Sequence, residues 1–128
     1  MTQEDKILLL KDLCARLPYG VKFLRESWNY EWDQELSVIE VLEDIDKDGY
    51  INNTKVYNVE DIKPYLRPMS SMTEEEKKEY DSLFKLHEDE NVYCENWEYF
   101  DWMNKHHFDC RNLIEKGLAL EAPEGMYT

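Results

Sequence analysis

Residues 44–52 read D-I-D-K-D-G-Y-I-N, and the two readings of this stretch lead to two different folds. As a calcium loop it needs a helix on each side; as a turn it joins two strands. In the calcium reading Asp44, Asp46 and Asp48 take loop positions 1, 3 and 5, Gly49 takes position 6, and Tyr50 offers its carbonyl at position 7. The closing position, where a bidentate Glu completes the oxygen shell, is Lys55. A positive charge therefore stands where two carboxylate oxygens belong. The flanks point the same way. K-V-Y-N-V at 55–59 and S-V-I-E-V-L at 37–42 are rich in β-branched residues, and Pro64 falls where an exiting helix would run. D-K-D-G between two such runs is good hairpin chemistry, since Asp suits turn geometry and Gly supplies positive φ. We therefore expect a turn within a sheet, and keep a calcium-binding module through residues 44–55 as the alternative function.

Working outward, the N-terminal segment predicts an amphipathic helix. Thr2 and Asp5 form a capping box, and Ile7, Leu10, Cys14 and Leu17 make an apolar stripe that Pro18 ends. Val21 and Phe23 then alternate with Lys22 and Leu24, and strand-like runs follow at 38–42, 50–51 and 56–59. Pro64 and Pro68 predict a semi-rigid connector after the sheet. Thr73 with Glu76 starts a second helix, Asn96 opens a third, and Asp109 with Gly117 brackets a fourth at 110–116. The expected fold class is α+β: one domain over 1–128, with an N-terminal helix, a small antiparallel sheet or partial barrel of three to four strands, and a helical C-terminal half.

Composition bounds the function. Seventeen aromatics among 128 residues suffice for a core. Cys14, Cys94 and Cys110 are odd in number and widely spaced, which fits a reducing compartment. The opening M-T-Q-E-D-K is acidic where a secretory signal is basic, and no apolar run approaches a membrane span, so a cytoplasmic protein without membrane contact is expected. The net charge is −14. Residues 31–48 carry eight acids against Lys47 alone, and 88–101 carry six against no base. Binding to phosphates needs clustered Lys and Arg, so direct nucleic-acid binding is not expected; a basic host protein is the fitting partner.

Three blocks carry a resemblance: L-C-A-R-L-P-Y-G-V-K at 13–22, I-K-P-Y-L-R-P-M-S-S-M-T-E-E-E at 62–76, and H-H-F-D-C-R-N-L-I-E-K-G-L-A-L-E-A-P at 106–123. They are similar to blocks in a family of small acidic proteins from gut Bacteroidales and their prophages. The likeness implies a bacterial or phage origin and brings no activity, ligand or catalytic residue with it.

The remaining candidates are few. H-H-F-D-C at 106–110 could seat a metal or a Cys110–His106 catalytic pair, but no further ligands stand at zinc spacing. A helix corner with one histidine packed and the other wet is the simpler reading. There is no nucleophile elbow, zincin motif or phosphate-cradling glycine loop. No catalytic residue, metal or cofactor is expected. In W-N-Y-E-W-D at 28–33, Trp28, Tyr30 and Trp32 share one strand face. If they are not core, they and the neighbouring acids Glu40, Glu43, Glu95 and Glu98 are the candidate partner-binding residues. The expected function is a non-enzymatic acidic protein-binding module of a bacterial or phage cytosol. Its sharpest form is an inhibitor that imitates the phosphate backbone toward a nucleic-acid-binding protein.

Overall fold

The computed structural model describes the backbone at residues 1–29, 34–53, 55–89 and 96–127, with side chains at these positions except 26–29, 34–37, 83–89 and 96–99. Helix α1 (Gln3–Arg16) begins at the expected box: the Asp5 amide donates to Thr2 Oγ1 and the Thr2 amide to Asp5 Oδ2. Strands β1 (Lys22–Asn29) and β2 (Gln34–Val41) follow, then the short strands β3 (Ile51–Asn52) and β4 (Val56–Tyr57), and β5 (Ile62–Leu66). Helices α2 (Glu74–Asp89) and α3 (Asn96–Lys105) precede β6 (Leu120–Glu121). The fold is α+β, with an open sheet in the order β2-β1-β5-β6 and a separate β3-β4 ribbon.

One face of the sheet is covered. Val21 and Phe23 of the β1 segment, Ile62 and Leu66 of β5, and Leu42 after β2 pack on Leu9 and Leu13 of α1. Each of these is buried, which is worth roughly 1.5–3 kcal/mol per large apolar side chain relative to exposure. The buried face of α1 follows the stripe expected from its sequence only in part, with Leu10 and Leu17 half-buried against the core. Leu9, Asp12, Leu13 and Arg16 point inward, while Ile7 and Cys14 are exposed. Asp12 and Arg16 read as solvent residues until each is seen to neutralise the other in the interior.

The 62–68 segment is also corrected, from connector to an interior strand. β5 pairs antiparallel with β1, Pro64 opposite Phe23, and parallel with β6 from Tyr65 onward. The register explains how the sheet tolerates a proline. One pair beyond Phe23 and Pro64, the Lys22 amide donates to the Tyr127 hydroxyl (2.9 Å), which donates to the Tyr65 carbonyl (2.7 Å). Tyr65 thus turns its main chain toward β1. Pro64 and Leu66 turn theirs the other way, and Ala122 N–H bonds the Leu66 carbonyl there (2.8 Å). Pro64 lies before the first β6 pair, so its missing donor removes no ladder bond. The parallel pairing with β6 makes the sheet mixed rather than purely antiparallel.

The expected fourth helix at 110–116 is a set of turns. Asp109 does cap it, accepting from the Leu113 amide (2.8 Å) and the Ile114 amide (3.0 Å), but Asn112 sits at φ +57°, which no right-handed helix contains. The start of α2 is as expected: the Glu76 amide donates to Thr73 Oγ1 (3.2 Å) and the Thr73 amide to Glu76 Oε1 (3.0 Å). Thr73→Ala should therefore cost about 1 kcal/mol by removing the cap oxygen. A urea-unfolding midpoint equal to that of the parent chain would refute this role for the cap.

Candidate functional site

Four places gather polar or exposed chemistry. The first is the aspartate loop. Ile45 bridges Ile51, the Asp46 amide donates to the Tyr50 carbonyl, and the Gly49 amide returns to the Asp46 carbonyl, each bond at 3.0 Å. Gly49 takes φ +84° and lies so close to α1 that a Cβ would meet Leu10 Cδ1 at 3.2 Å. Asp46 Oδ1 accepts from the Asp48 amide (2.9 Å) and the Tyr50 amide (3.0 Å), so this carboxylate holds the turn together. The elements around it are strands. Among the described residues, no three His, Cys, Asp or Glu side chains are grouped as a cation site.

The second is interior. Arg16 Nε and Nη2 hold Asp12 at 2.8 and 3.0 Å, Nη2 also bonds the Phe108 carbonyl, and Arg111 Nη1 reaches Asp12 Oδ1 at 2.7 Å. Cys110 sits beside both guanidiniums, with Sγ 3.8 Å from Arg16 Nη2 and 3.4 Å from Arg111 Nη1. Burial nevertheless pushes its thiol up, which keeps it protonated. Cys110 does not line the cleft that holds His106.

His106 lines the third place, a cleft of about 600 Å³ between 67–76 and the 121–127 segment. Arg67 grips Glu76 with two bonds of 2.7 and 2.8 Å and lies over the Phe108 ring, and His106 Nδ1 is 3.4 Å from Glu76. Arg67, Glu76 and His106 partner one another and join the start of α2 to the end of α3. His107 is the packed histidine of the pair. It adopts φ +63°, its ring stacks on Tyr127 at 3.7 Å, and Nδ1 is buried with no hydrogen-bond partner among the described residues.

The fourth place is the free edge of β2. The Leu42 amide donates to the Val21 carbonyl (2.9 Å), so Val38, Glu40 and Leu42 direct their main chain to β1, while Ser37, Ile39 and Val41 direct theirs outward. Asn53 closes one end of this edge, its Nδ2 bonding the Val41 carbonyl (2.8 Å) and its Oδ1 accepting from the Glu43 amide (2.9 Å). Val38, Ile39 and Val41 are 37%, 52% and 46% exposed. Beside them lies a groove of about 550 Å³ lined by Lys22, Ile39, Glu40, Val41 and residues 123–126.

The candidate partner-binding residues fall unevenly around this edge. Glu43 is exposed just beyond β2. Glu40 is taken by an ion pair to Arg25 (3.2 Å, side chain 17% exposed) and by the Tyr57 hydroxyl, on the covered face of the sheet. Trp28 occupies the β1 position opposite Glu35, and Glu98 lies in α3; the side chains of both are outside the described set. Tyr30, Trp32 and Glu95 lie outside the described residues, as does the question whether the two acidic blocks share a face. Val38, Ile39 and Val41 are not among those candidates. Their signal is V-I-E-V itself, apolar at both parities in a strand that has one neighbour among the described residues.

Two outcomes follow from the buried groups. Asp12→Asn should cost about 3–5 kcal/mol, because it leaves two guanidiniums without their shared counter-charge, one of them wholly buried; a loss under 1 kcal/mol in chemical unfolding would contradict it. Burial, with Arg16 nearby, lowers His107 from 6.5 to about 4. Between these values the unfolded chain binds a proton that the folded chain does not, so stability falls as pH drops from 6.5 to 4. Arg67 holds Glu76 at about 2, so its contribution is present above the ordinary 4.5 and is lost as pH falls toward 2. In urea midpoints measured against pH, His107→Asn should remove the first decline and keep the second.

Compared with known protein families, curated proteins and solved structures, the chain matches none.

Proposed function

We propose that the protein is a non-enzymatic binding module that holds a basic partner protein against the β2 edge and its groove. The observation that carries this is the run Val38, Ile39 and Val41, exposed on a strand with one neighbour among the described residues, in a chain of net charge −14. Apolar side chains gathered at an open edge mark an interaction surface more often than an idle one. The charged surroundings give the sign of the partner. Glu43, Asp44 and Glu124 are exposed around the edge, while Lys22, the base in the groove, is tied to the Met126 carbonyl (3.1 Å). Apolar contact then supplies affinity and the acids supply steering and orientation. The origin implied by the sequence blocks makes a bacterial cytosol the place to look for that partner.

The reading is tested by capture from a bacterial lysate, comparing the parent chain with a Glu43→Lys, Asp44→Lys, Glu124→Lys variant. The captured protein should be basic, and its association rate with the parent should fall about tenfold or more between low and physiological salt. The variant should associate slowly at both. Equal rates for parent and variant, or an acidic captured protein, would sink the reading.

A further inference from the structure

We infer that the partner enters as an added β-strand: an extended segment that pairs with β2 along its free edge, apolar at alternate positions and basic at the end beyond Val41. This rests on the binding-module reading above and goes further by naming the recognised chemistry.

The main-chain groups set the mode. Ser37, Ile39 and Val41 turn their N–H groups outward, and so do the carbonyls of Ser37 and Ile39. Among the described residues no strand pairs this edge. Strand addition uses such a row of donors and acceptors for affinity and the flanking side-chain pockets for selection. The Val41 carbonyl is the exception, already satisfied by Asn53, so the ladder has a defined end. A segment added here must diverge after the Val41 amide.

Side chains set the composition. Ile39 and Val41 stand on the outer sheet face, next to the groove formed with Pro123, Glu124 and Met126, and this face takes apolar residues at every second position of the guest. Val38 stands on the other face, exposed at the rim. Past the Asn53 clamp the chain continues into Glu43 and Asp44, both exposed. In the antiparallel arrangement, the stronger per residue, the guest's N-terminal residues lie there, and these should be Lys or Arg.

Charge selects among occupants. An open apolar edge is ordinarily a template for a second copy of the same chain. Here a second copy would bring a chain of the same net charge, −14, against the exposed Glu43 and Asp44, whereas a basic segment is attracted by the same groups. The edge is guarded against itself and open to an opposite charge.

The experiment uses the whole chain and a synthetic peptide of eight residues, the length of β2, reading Lys-Lys-Thr-Val-Thr-Val-Thr-Val. Amide exchange is followed residue by residue by NMR, and binding by anisotropy of a labelled peptide. Bound peptide should slow exchange of the Ile39 and Val41 amides about tenfold or more, and leave the Glu40 and Leu42 amides, already in the β1 ladder, unchanged. The same peptide with Glu for Lys should not bind. Binding without slowing of those two amides overturns strand addition and leaves the basic-partner reading standing. Slowing that grows with protein concentration alone assigns the edge to a second copy and overturns the proposal. A peptide that does not bind at all overturns it too, while lysate capture decides the broader reading separately.

Discussion

The packing of α1 against the 106–111 corner is arranged around a guanidinium that water does not reach. Arg16 lies at the end of α1, wholly buried, with its charge met by Asp12 one turn earlier and its Nη2 by the Phe108 carbonyl from the far side of the chain, while Nη1 has no hydrogen-bond partner among the described residues. Removing a guanidinium from water is affordable only when donors and charge are matched in the interior. That requirement fixes three things together: the rotation of α1 that brings Asp12 and Arg16 inward, the position of the 106–111 corner, and the reach of Arg111 back to Asp12. Leu9 and Leu13 complete the same helix face and deliver it to the sheet.

The corner has a second constraint, the closing of the sheet. Arg67 directs its amide to the His107 carbonyl (2.7 Å), and its own carbonyl accepts from the Asp109 amide (2.9 Å), so β5 runs on into the segment that carries Phe108. The Tyr127 ring lies against His107 while its hydroxyl stands in the ladder between Lys22 and Tyr65. Burial pushes that phenol up to about 12, so it keeps the proton it donates to Tyr65. The charged network on one side and the hydroxyl on the other leave little freedom to the covered face. What remains open is the far edge of the sheet, at β2, where the network does not reach.

The sequence made some of this legible because some signals are local. The boxes at Thr2 and Thr73, the turn at 46–49, the cap at Asp109 and the packed and wet histidines each depend on a few adjacent residues, and each is found in place. The fourth helix at 110–116 fails locally, at the positive φ of Asn112; the other departures are non-local. Pro64 is unfavourable in a strand until its register and the late start of β6 are known. Asp12 and Arg16 look polar and therefore external until Arg111 and Phe108, more than ninety residues away, are brought to them. The candidate site followed the same rule. Acidic charge near the edge was plain from composition, but which strand would lack a neighbour could not be read from any window of residues.

Pro64 has a consequence for the chain before it is fully folded. β5 acquires its second neighbour only when residues 120–122 return across both helices, a long closure that forms slowly compared with the β1–β2 hairpin. Until then β5 exposes a bare, apolar strand flank in a half-assembled sheet, the kind of surface on which nascent chains aggregate. The proline faces that flank and withholds a donor from any intruding strand, while β6 needs nothing from it. A donor-bearing residue at position 64 would offer an intruding strand the bond that the proline denies it.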